Sequence, residues 1–334
     1  MTIKDIARIS GYSVGTVSRV LNGSPNVSST ARFHVEAVVR EHNFKLNSNA
    51  KHLKQQSSSG IAIIVKGTQN MLFASIVEQL QGLIWEKGFT SLIFYIDEDD
   101  NEVDEAIQIC QERHPQGIMF LGSTLDDFRQ KFSAISIPCV LVTNSAAGLD
   151  FSNLSSVSTD DASGARCAVE HLIALGHTRI GILGGIMTIS NAASTRYHGC
   201  LQAFETHGIP FDPTRQLVMA RFAMSSGYDA MSALLDQMPD LTAVFAMSDV
   251  MAVGAIRAIR DRGLRVPEDV SVIGYDGIEM SRYLSPKLTT IRQHRETIAD
   301  RSLELLLQGI RGGAQAIHEI TPFELIPGES VQQI

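Results

Sequence analysis

The sequence predicts two parts of different class: a small all-α unit with a helix-turn-helix at the N-terminus, and a larger α/β core of two lobes. The first part follows from SVGTVSRVLN at 13–22, where a good N-cap residue precedes apolar residues at helical spacing. The second follows from short apolar runs, beginning with IAIIV at 61–65, that alternate with amphipathic helical segments. A length of 334 residues also exceeds what one ordinary hydrophobic core organises.

Three short helices are predicted in the N-terminal part. The first ends at Gly11, because a residue without Cβ accepts a left-handed turn. Ser13 caps the second helix, and Ser28 caps the third, which ends near Asn43. Two short helices joined by a three-residue turn that contains glycine are a helix-turn-helix signature.

Charge is divided unevenly between the two parts. The chain has a formal net charge of −8, yet residues 1–59 hold eight Lys or Arg against three acids, which leaves −13 for the remainder. A basic module on an acidic body indicates that the N-terminal part alone binds nucleic acid through its phosphates.

The core is predicted as regular strand–helix alternation from Gly60 onward. The predicted strands are 61–65, 91–96, 117–121, 138–142, 179–185, 216–220, 243–247 and 270–276, with helices at 76–88, 103–112, 126–135, 162–175, 195–207, 226–237 and 250–262. Such alternation implies open parallel sheets with right-handed crossovers, and two successive units imply two lobes with a cleft between them.

Several motifs resemble the lactose-repressor (LacI/GalR) family of bacterial transcription regulators. In the N-terminal part they are IKDIA, TVSRVLNG and PNVS, followed by a hinge segment that ends in Leu53. In the core they are VEHLIALGHTRIGILGG, FAMSDVMAVGAIRAI, RVPEDVSVIGYD and LTTIRQ. The resemblance covers nearly the whole chain and departs locally at Ser10 and Tyr12. It implies a core similar to periplasmic sugar-binding proteins, with two Rossmann-like lobes linked by three crossovers.

The same resemblance implies the domain boundaries. Residues 1–46 are expected to form a helix-turn-helix DNA-binding headpiece, 47–59 a hinge helix and linker, and 60–334 the effector-binding and dimerisation core. Lobe crossings are expected near Ser158–Asp160, Thr289–Arg292 and Glu319–Thr321. These divide the core into an N-lobe of about 60–158 and 291–319 and a C-lobe of about 159–290 and 320–334.

The second helix and the hinge are expected to contact DNA. Val14 and Gly15 occupy the positions with which the family chooses bases, but neither makes a bidentate hydrogen bond, so Val14 could read only a thymine methyl. Arg19 is the expected base or phosphate contact, and Leu53 corresponds to the family's minor-groove wedge. The full expected set is Ile3, Ser13, Val14, Gly15, Thr16, Ser18, Arg19, Asn22, Asn26, Ser28, Asn47, Ala50, Leu53 and Lys54.

Residues near strand ends predict a small-molecule site in the cleft. Asp276 closes the run VIGYD, and ligands of open α/β sheets gather at the carboxyl ends of strands. Asp and Arg each hold two oxygens in fixed geometry, which suits a ligand dense in hydroxyls, such as a sugar. By motif, the expected effector-binding set is Asn70, Phe73, Thr143, Arg196, Phe222, Ser248 and Asp276. Thr143-Asn144 replaces the Asp-Arg often found there, which leaves the identity of the effector open.

Other function classes find little support in the residues. The four cysteines lie far apart without metal-ligand spacing, which predicts free thiols in a reducing cytoplasm. The N-terminus carries no secretory signal, and no apolar run has the length of a membrane span. Gly184-Gly185 lacks the residues of a phosphate loop and is expected to form a tight turn at the cleft. No enzyme activity, cofactor or metal is expected.

The sequence is therefore interpreted as a cytoplasmic repressor that binds double-stranded operator DNA and responds to a carbohydrate effector, with no membrane partner. A homodimer is expected, because the chain shows no heptad-bearing tail of the kind that makes some relatives tetramers. Two alternatives stay open at this point: a sugar-binding receptor without a role in transcription, and a regulator controlled by a protein co-repressor. Whether the effector induces or co-represses also stays open.

Overall fold

The computed structural model describes residues 3–21, 27–42, 60–313 and 315–334. The chain divides into two compact units, Met1–Ser57 and Ser58–Ile334. The predicted fold class is confirmed: the first unit is helical and the second contains two mostly parallel sheets.

The N-terminal unit contains three helices, α1 (Ile3–Ser10), α2 (Val14–Leu21) and α3 (Ser29–Glu41). Its small core is formed by the fully or nearly fully buried side chains Ile6, Val17, Val20 and Val35. The turn between α1 and α2 contains Gly11 with a φ of +75°, a conformation that costs a residue without Cβ little. The alternation of buried and exposed positions in α2 leaves one face of that helix turned to solvent.

The first lobe of the core consists mainly of the chain before residue 160. Its elements are β1 (Gly60–Lys66), α4 (Met71–Glu86), β2 (Thr90–Ile96), α5 (Glu102–Arg113), β3 (Gly117–Leu121), α6 (Leu125–Lys131), β4 (Cys139–Val142) and β5 (Leu154–Thr159). Strands β1, β3 and β4 are buried along their whole length, since helices cover both faces of the sheet.

The second lobe repeats this arrangement. Its elements are α7 (Asp161–Ala174), β6 (Ile180–Gly184), α8 (Asn191–Thr206), α9 (Pro213–Gln216), β7 (Leu217–Met219), α10 (Met224–Gln237), β8 (Ala243–Ala246), α11 (Asp249–Asp261), β9 (Ser271–Asp276) and β10 (Thr289–Gln293). The chain then adds α12 (Arg295–Ile310), β11 (His318–Thr321) and β12 (Phe323–Ile326).

Each sheet has six strands. The first has the order β11-β5-β4-β3-β1-β2 and the second β12-β10-β9-β8-β6-β7. All pairs are parallel except β10 with β12. Helix α12 returns to the first lobe, where Ile298 and Leu303 pack in one buried cluster with β1 and α4.

The chain passes between the lobes three times, and two crossings differ slightly from the expected positions. The first follows Thr159, as expected. The second follows Gln293 rather than lying within Thr289–Arg292, because β10 pairs in the second sheet with β9 up to Arg292 and with β12 up to Gln293. The third follows Thr321, because β11 pairs with β5 up to that residue. Residues 291–293 therefore belong to the second lobe, and residues 320–321 to the first.

Several elements of the core were not predicted as the structure has them, among them α9 and the elements from β10 to β12. Strand β5 has the sequence LSSVST, and because four of its six residues carry hydroxyl groups it does not form a continuous apolar run. Helix α8 begins at Asn191, before the predicted Thr195, because Ser190 caps it by accepting a hydrogen bond from Ala193 N.

Candidate ligand cavity and nucleic-acid interface

The solvent-facing side of α2 carries several of the residues predicted to contact DNA. Val14 has 41% of its surface exposed, and Gly15 and Arg19 are also exposed, whereas Val17 and Val20 are buried. Residues four apart share a helix face, so Gly15 and Arg19 lie one above the other. An exposed face of a second helix, held by a buried opposite face, has the form that enters a DNA major groove.

Other residues of that set have local structural roles. Ser13 Oγ accepts a hydrogen bond from Thr16 N at 3.2 Å and so caps α2. Ser28 Oγ caps α3 by accepting from Ala31 N at 3.3 Å, and Ser18 is half-buried. Ile3 begins α1. Asn22, Asn26, Asn47, Ala50, Leu53 and Lys54 lie outside the described residues.

A cavity, here called the cleft cavity, lies between the two lobes at the carboxyl ends of the strands. Six of the seven residues predicted for the effector line it: Asn70, Phe73, Thr143, Arg196, Phe222 and Asp276. They come from both lobes and from five separate places in the chain, since Asn70 and Phe73 share the start of α4. The free volume of the cavity is about 50 Å³, which is room for a few water molecules.

Arg196 is the central cation of the cleft cavity and is almost completely buried. Its Nε donates to Asp161 Oδ1 at 2.8 Å, and its Nη1 donates to the carbonyl of Met247 at 2.6 Å. Its guanidinium carbon lies 3.8 Å from the centre of the Tyr275 ring. Burial alone would lower the pKa of Arg196, but the charges of Asp161 and Asp276 raise it above its ordinary value.

Asp276 ends β9 with a φ of +112°, a backbone conformation that a residue with a Cβ adopts only under strain. Its Oδ1 accepts from Gln293 Nε2 at 2.8 Å and lies 3.5 Å from Arg196 Nη2. Burial raises the pKa of Asp276 to about 6, with Arg196 and Gln293 acting in the opposite direction. A strained, buried carboxylate at a strand end is typical of a ligand site.

The first-lobe wall contains a second strained residue and an unsatisfied hydroxyl. Thr143 has a φ of +75°, and the neighbouring Asn144 donates through Nδ2 to the carbonyl of Ser123 at 3.0 Å. Ser123 Oγ is buried and, among the described residues, has no hydrogen-bond partner. Because an unpaired buried hydroxyl costs free energy, a ligand atom that bonds to it contributes affinity.

Two aromatic rings contact the cavity from opposite lobes, and glycines make room for them. Phe73 packs against Gly122, where an added Cβ would lie 2.8 Å from the ring. Phe222 packs against Gly185, where an added Cβ would lie 2.5 Å from the ring. Gly185, directly after β6, therefore leaves room for the Phe222 ring at the cleft.

Ser248 does not line the cavity, which corrects the prediction for this residue. Its side chain is completely buried and its Oγ caps α11 by accepting from Met251 N at 3.4 Å. The residue at the end of β8 is used as a helix cap, so its hydroxyl is directed to the backbone. Asn70 also caps a helix, accepting from Leu72 N at 3.0 Å, but it does line the cavity.

The sequence analysis missed a buried ion pair and an amide in the cavity wall. Lys66 Nζ lies 2.7 Å from Glu102 Oε2 and donates to Thr124 Oγ1 at 3.1 Å. Burial raises the pKa of Glu102, while Lys66 acts to lower it. Gln293 donates to Asp276 and accepts from Thr159 Oγ1 at 2.9 Å. The sequence could have indicated Lys66 and Gln293, since Lys66 ends an apolar strand and Gln293 ends the motif LTTIRQ.

The described residues also bear on metals, disulfides and membranes. The described ranges bring no three His, Cys, Asp or Glu side chains together in the way a metal site requires. All four cysteines are free. Within the same ranges, no helix combines the length and hydropathy that crossing a bilayer requires.

Comparisons with known proteins agree with both units. Residues 2–47 match the family of bacterial regulatory proteins of the lacI type, and residues 169–331 match the periplasmic binding protein-like domain. The chain is 33% identical over 333 residues to the HTH-type transcriptional regulator MalR of Clostridium butyricum, covering 99% of each chain.

Two solved structures cover nearly the whole chain. The lac repressor dimer bound to operator and the anti-inducer ONPF is 27% identical, with a TM-score of 0.78 and 99% of each chain covered. The complex of the transcriptional regulator CelR with cellobiose is 28% identical, with a TM-score of 0.71 and the same coverage. With a helix-turn-helix unit, a two-lobed core and a relative of this identity along its whole length, the chain belongs to the lacI family of bacterial regulatory proteins and is a DNA-binding transcriptional regulator.

Proposed function

We propose that this chain is a homodimeric cytoplasmic repressor whose affinity for a near-palindromic operator is controlled by a sugar bound in the cleft cavity. The observation that carries the proposal is the meeting of Asp276 and Arg196 with Phe73 and Phe222 in one cavity between the lobes. The carboxylate and the guanidinium supply directional bonds to hydroxyls, and an aromatic ring covers the apolar face of a sugar. The cellobiose held by CelR supports the same ligand class.

The two-lobed core provides a way for sugar binding in the cleft cavity to change operator binding. Sugar binding changes how the lobes close on each other, and closure in a dimer changes the relative orientation of the two first lobes. Because β1 of the first lobe begins directly after the hinge segment, this alters the spacing of the two hinges. Coupling of this kind typically amounts to about 1–3 kcal/mol and is reciprocal, so operator and sugar change each other's affinity by the same factor.

The test of the effector site is the Asp276→Ala variant. A thermal-shift screen of sugars identifies the ligand, and calorimetric titration then measures its affinity for the wild type and the variant. We expect Asp276→Ala to abolish the sugar response of operator binding and to leave repression without sugar intact. Asp236→Ala, which removes an exposed carboxylate of the same lobe, should respond like the wild type. Wild-type sugar affinity in Asp276→Ala would show that the site lies elsewhere.

Operator recognition is tested by Arg19→Ala. If Arg19 reads a base, its loss should weaken operator binding by about 1–3 kcal/mol and leave binding to random DNA nearly unchanged. The control is Arg40→Ala, an exposed arginine on α3. Fluorescence anisotropy with both DNAs at several salt concentrations measures the effect, because phosphate contacts alone change the salt slope. An equal loss of affinity for both DNAs would show that Arg19 contacts only phosphates.

The alternatives have distinct outcomes in the same experiments. A receptor without a role in transcription would bind the sugar but show no specific operator affinity. A regulator controlled by a protein co-repressor would bind operator but respond to no sugar in the screen.

A further inference from the structure

A second cavity lies beside the crossing from β10 to α12. It is here called the hinge cavity after this crossing between the lobes, which is distinct from the hinge segment 47–59. It has a free volume of about 370 Å³ and is lined by the end of β10, the start of α12, the segment 277–282 and Ile326 of β12. Gln293 lines both this cavity and the cleft cavity. The hinge cavity is therefore in contact with the same crossing residue that holds Asp276.

The lining of the hinge cavity is cationic. Four basic side chains, Arg282, Lys287, Arg292 and Arg295, line it together with two acids, Glu279 and Glu296, and with His294. With Glu324, which pairs with Arg292, also counted, one positive charge remains in excess, in a core whose net charge is −13. In the described part of the chain, neither Arg282 nor Lys287 has a carboxylate within salt-bridge distance. Unpaired cations gathered around a cavity on an acidic body attract a small anion.

Arg292 has an unused hydrogen-bond donor at this cavity. Its Nη2 donates to Glu324, but its Nε is buried and finds no acceptor among the described residues. A buried donor without a partner costs free energy, because water no longer satisfies it. An anion oxygen that reaches this nitrogen removes that cost.

The start of α12 adds a third attraction for anions. His294 is the N-cap residue of this 16-residue helix, and its side chain makes no capping hydrogen bond. Residues 294–296 all line the cavity. Uncapped N–H groups and the positive end of a helix dipole favour negative charge, and phosphate most of all.

From these features together we infer that the hinge cavity binds a small phosphate-bearing anion. A guanidinium holds two phosphate oxygens in parallel hydrogen bonds, and a lysine adds a point charge.

The position of the site gives it a regulatory consequence, which rests on the proposed function. The cavity joins β10 of the second lobe to the start of α12, a helix that packs in the first lobe. An anion there holds the two lobes in one relative position. Sugar and phosphate should therefore change each other's affinity by the same factor.

The test is calorimetric titration of the full chain at low ionic strength with inorganic phosphate, pyrophosphate, glycerol phosphate and sulfate. We expect one phosphate site per chain and weaker binding of sulfate. The double variant Arg282→Gln/Lys287→Gln should weaken phosphate binding by about tenfold or more. The matched control is Arg129→Gln/Lys131→Gln, which removes two exposed cations from the first lobe and should bind like the wild type. Tighter binding of glycerol phosphate than of inorganic phosphate would identify a phosphorylated metabolite as the ligand.

Two outcomes overturn the inference: no saturable binding of any phosphate at millimolar concentration, or an equal loss in both double variants, which would indicate general charge attraction. Thermal unfolding of all variants verifies that they fold. Because this titration needs neither sugar nor operator, its result is independent of the proposed function. The effect of bound phosphate on sugar affinity is measured afterwards.

Discussion

At the scale of single residues, two buried carboxyl groups of the second lobe, those of Asp249 and Asp276, have raised pKa values. Asp249 is fully buried, and its carboxylate accepts from Ile278 N at 2.8 Å and from Thr290 Oγ1 at 2.6 Å. Burial, followed by the charge of Asp276, raises the pKa of Asp249 well above its ordinary value. The surroundings of both carboxyl groups favour the neutral form, so the stability of the core should depend on pH.

The first prediction concerns Asp276→Asn and the pH dependence of stability. The pKa of Asp276 in the folded chain is about 6, above its ordinary value of 3.8. The folded state therefore binds this proton more tightly, and the group's contribution to stability is lost as pH rises from about 4 to above 6. Asparagine does not ionise, so the stability of wild type relative to Asp276→Asn should fall by about 3 kcal/mol across that range.

Urea unfolding at pH 4, 5, 6 and 7 measures this difference. The control is Asp236→Asn, since a hydrogen bond from Arg262 lowers the pKa of this exposed carboxyl. Its relative stability should change little and in the opposite direction, with the wild type gaining as pH rises. A pH-independent difference between wild type and Asp276→Asn would contradict the assignment of a raised pKa.

At the scale of elements, close helix packing shapes the second lobe. Helices α10 and α11 approach so closely that glycine is needed on both. A Cβ on Gly254 would lie 2.0 Å from the carbonyl oxygen of Met224, and one on Gly227 would lie 2.5 Å from that of Met251. The obstacle in each case is backbone, which cannot rotate away as a side chain can. This contact sets the position of α11, and the first turn of α11 contains Asp249.

The second prediction is that Gly254→Ala destabilises the core by about 1–3 kcal/mol or more, as overpacking does, because α10 must shift away from α11. Gly82→Ala is the matched control, since Gly82 is also helical but has no atom within 4 Å of an added Cβ. It should raise stability by about 0.5–1 kcal/mol through its higher helix propensity. Urea midpoints of both variants give the comparison, and a stable Gly254→Ala protein would refute the tight packing.

At the scale of the whole core, a few polar contacts join the lobes across the cleft. Arg221 of the second lobe donates to Asp97 at 3.0 Å and to Asp99, both in the loop after β2. Thr124 of the first lobe donates through Oγ1 to the carbonyl of Ile189 at 2.9 Å. The arginine contacts are exposed to solvent, so salt weakens them, whereas the threonine contact is partly buried.

The third prediction is that Arg221→Ala lowers sugar affinity at low salt, because it removes contacts that join the two lobes. The loss should be about fivefold or less, which is the range of an exposed ion pair. The difference should shrink as salt concentration rises, since screening already weakens these contacts in the wild type. Arg215→Ala, an exposed arginine of the same lobe without a carboxylate partner among the described residues, is the control. An affinity loss that is independent of salt would point to a packing role for Arg221 instead.

The sequence by itself predicted most of the elements up to β9 and a ligand site at the strand ends. Helix caps such as Ser13 and Ser28 and buried runs such as IAIIV are local signals, and the structure has these elements where they were predicted. Asp276 was expected at a ligand site because parallel strands present their carboxyl ends at one edge, and Thr143 was expected there from the family resemblance. Both line the cleft cavity, and both are strained.

Only the tertiary structure decided which side chains meet. Ser248 and Asn70 both cap a helix, yet only Asn70 faces the cavity. Arg221 contacts Asp97 across 124 positions of sequence, and the cations of the hinge cavity gather from β10, α12 and the segment before them. Periodicity records which face of an element is buried, but it carries no information about the distance between two lobes. That distance is set by three crossings and by the packing of α12, and it therefore appears only in the folded core.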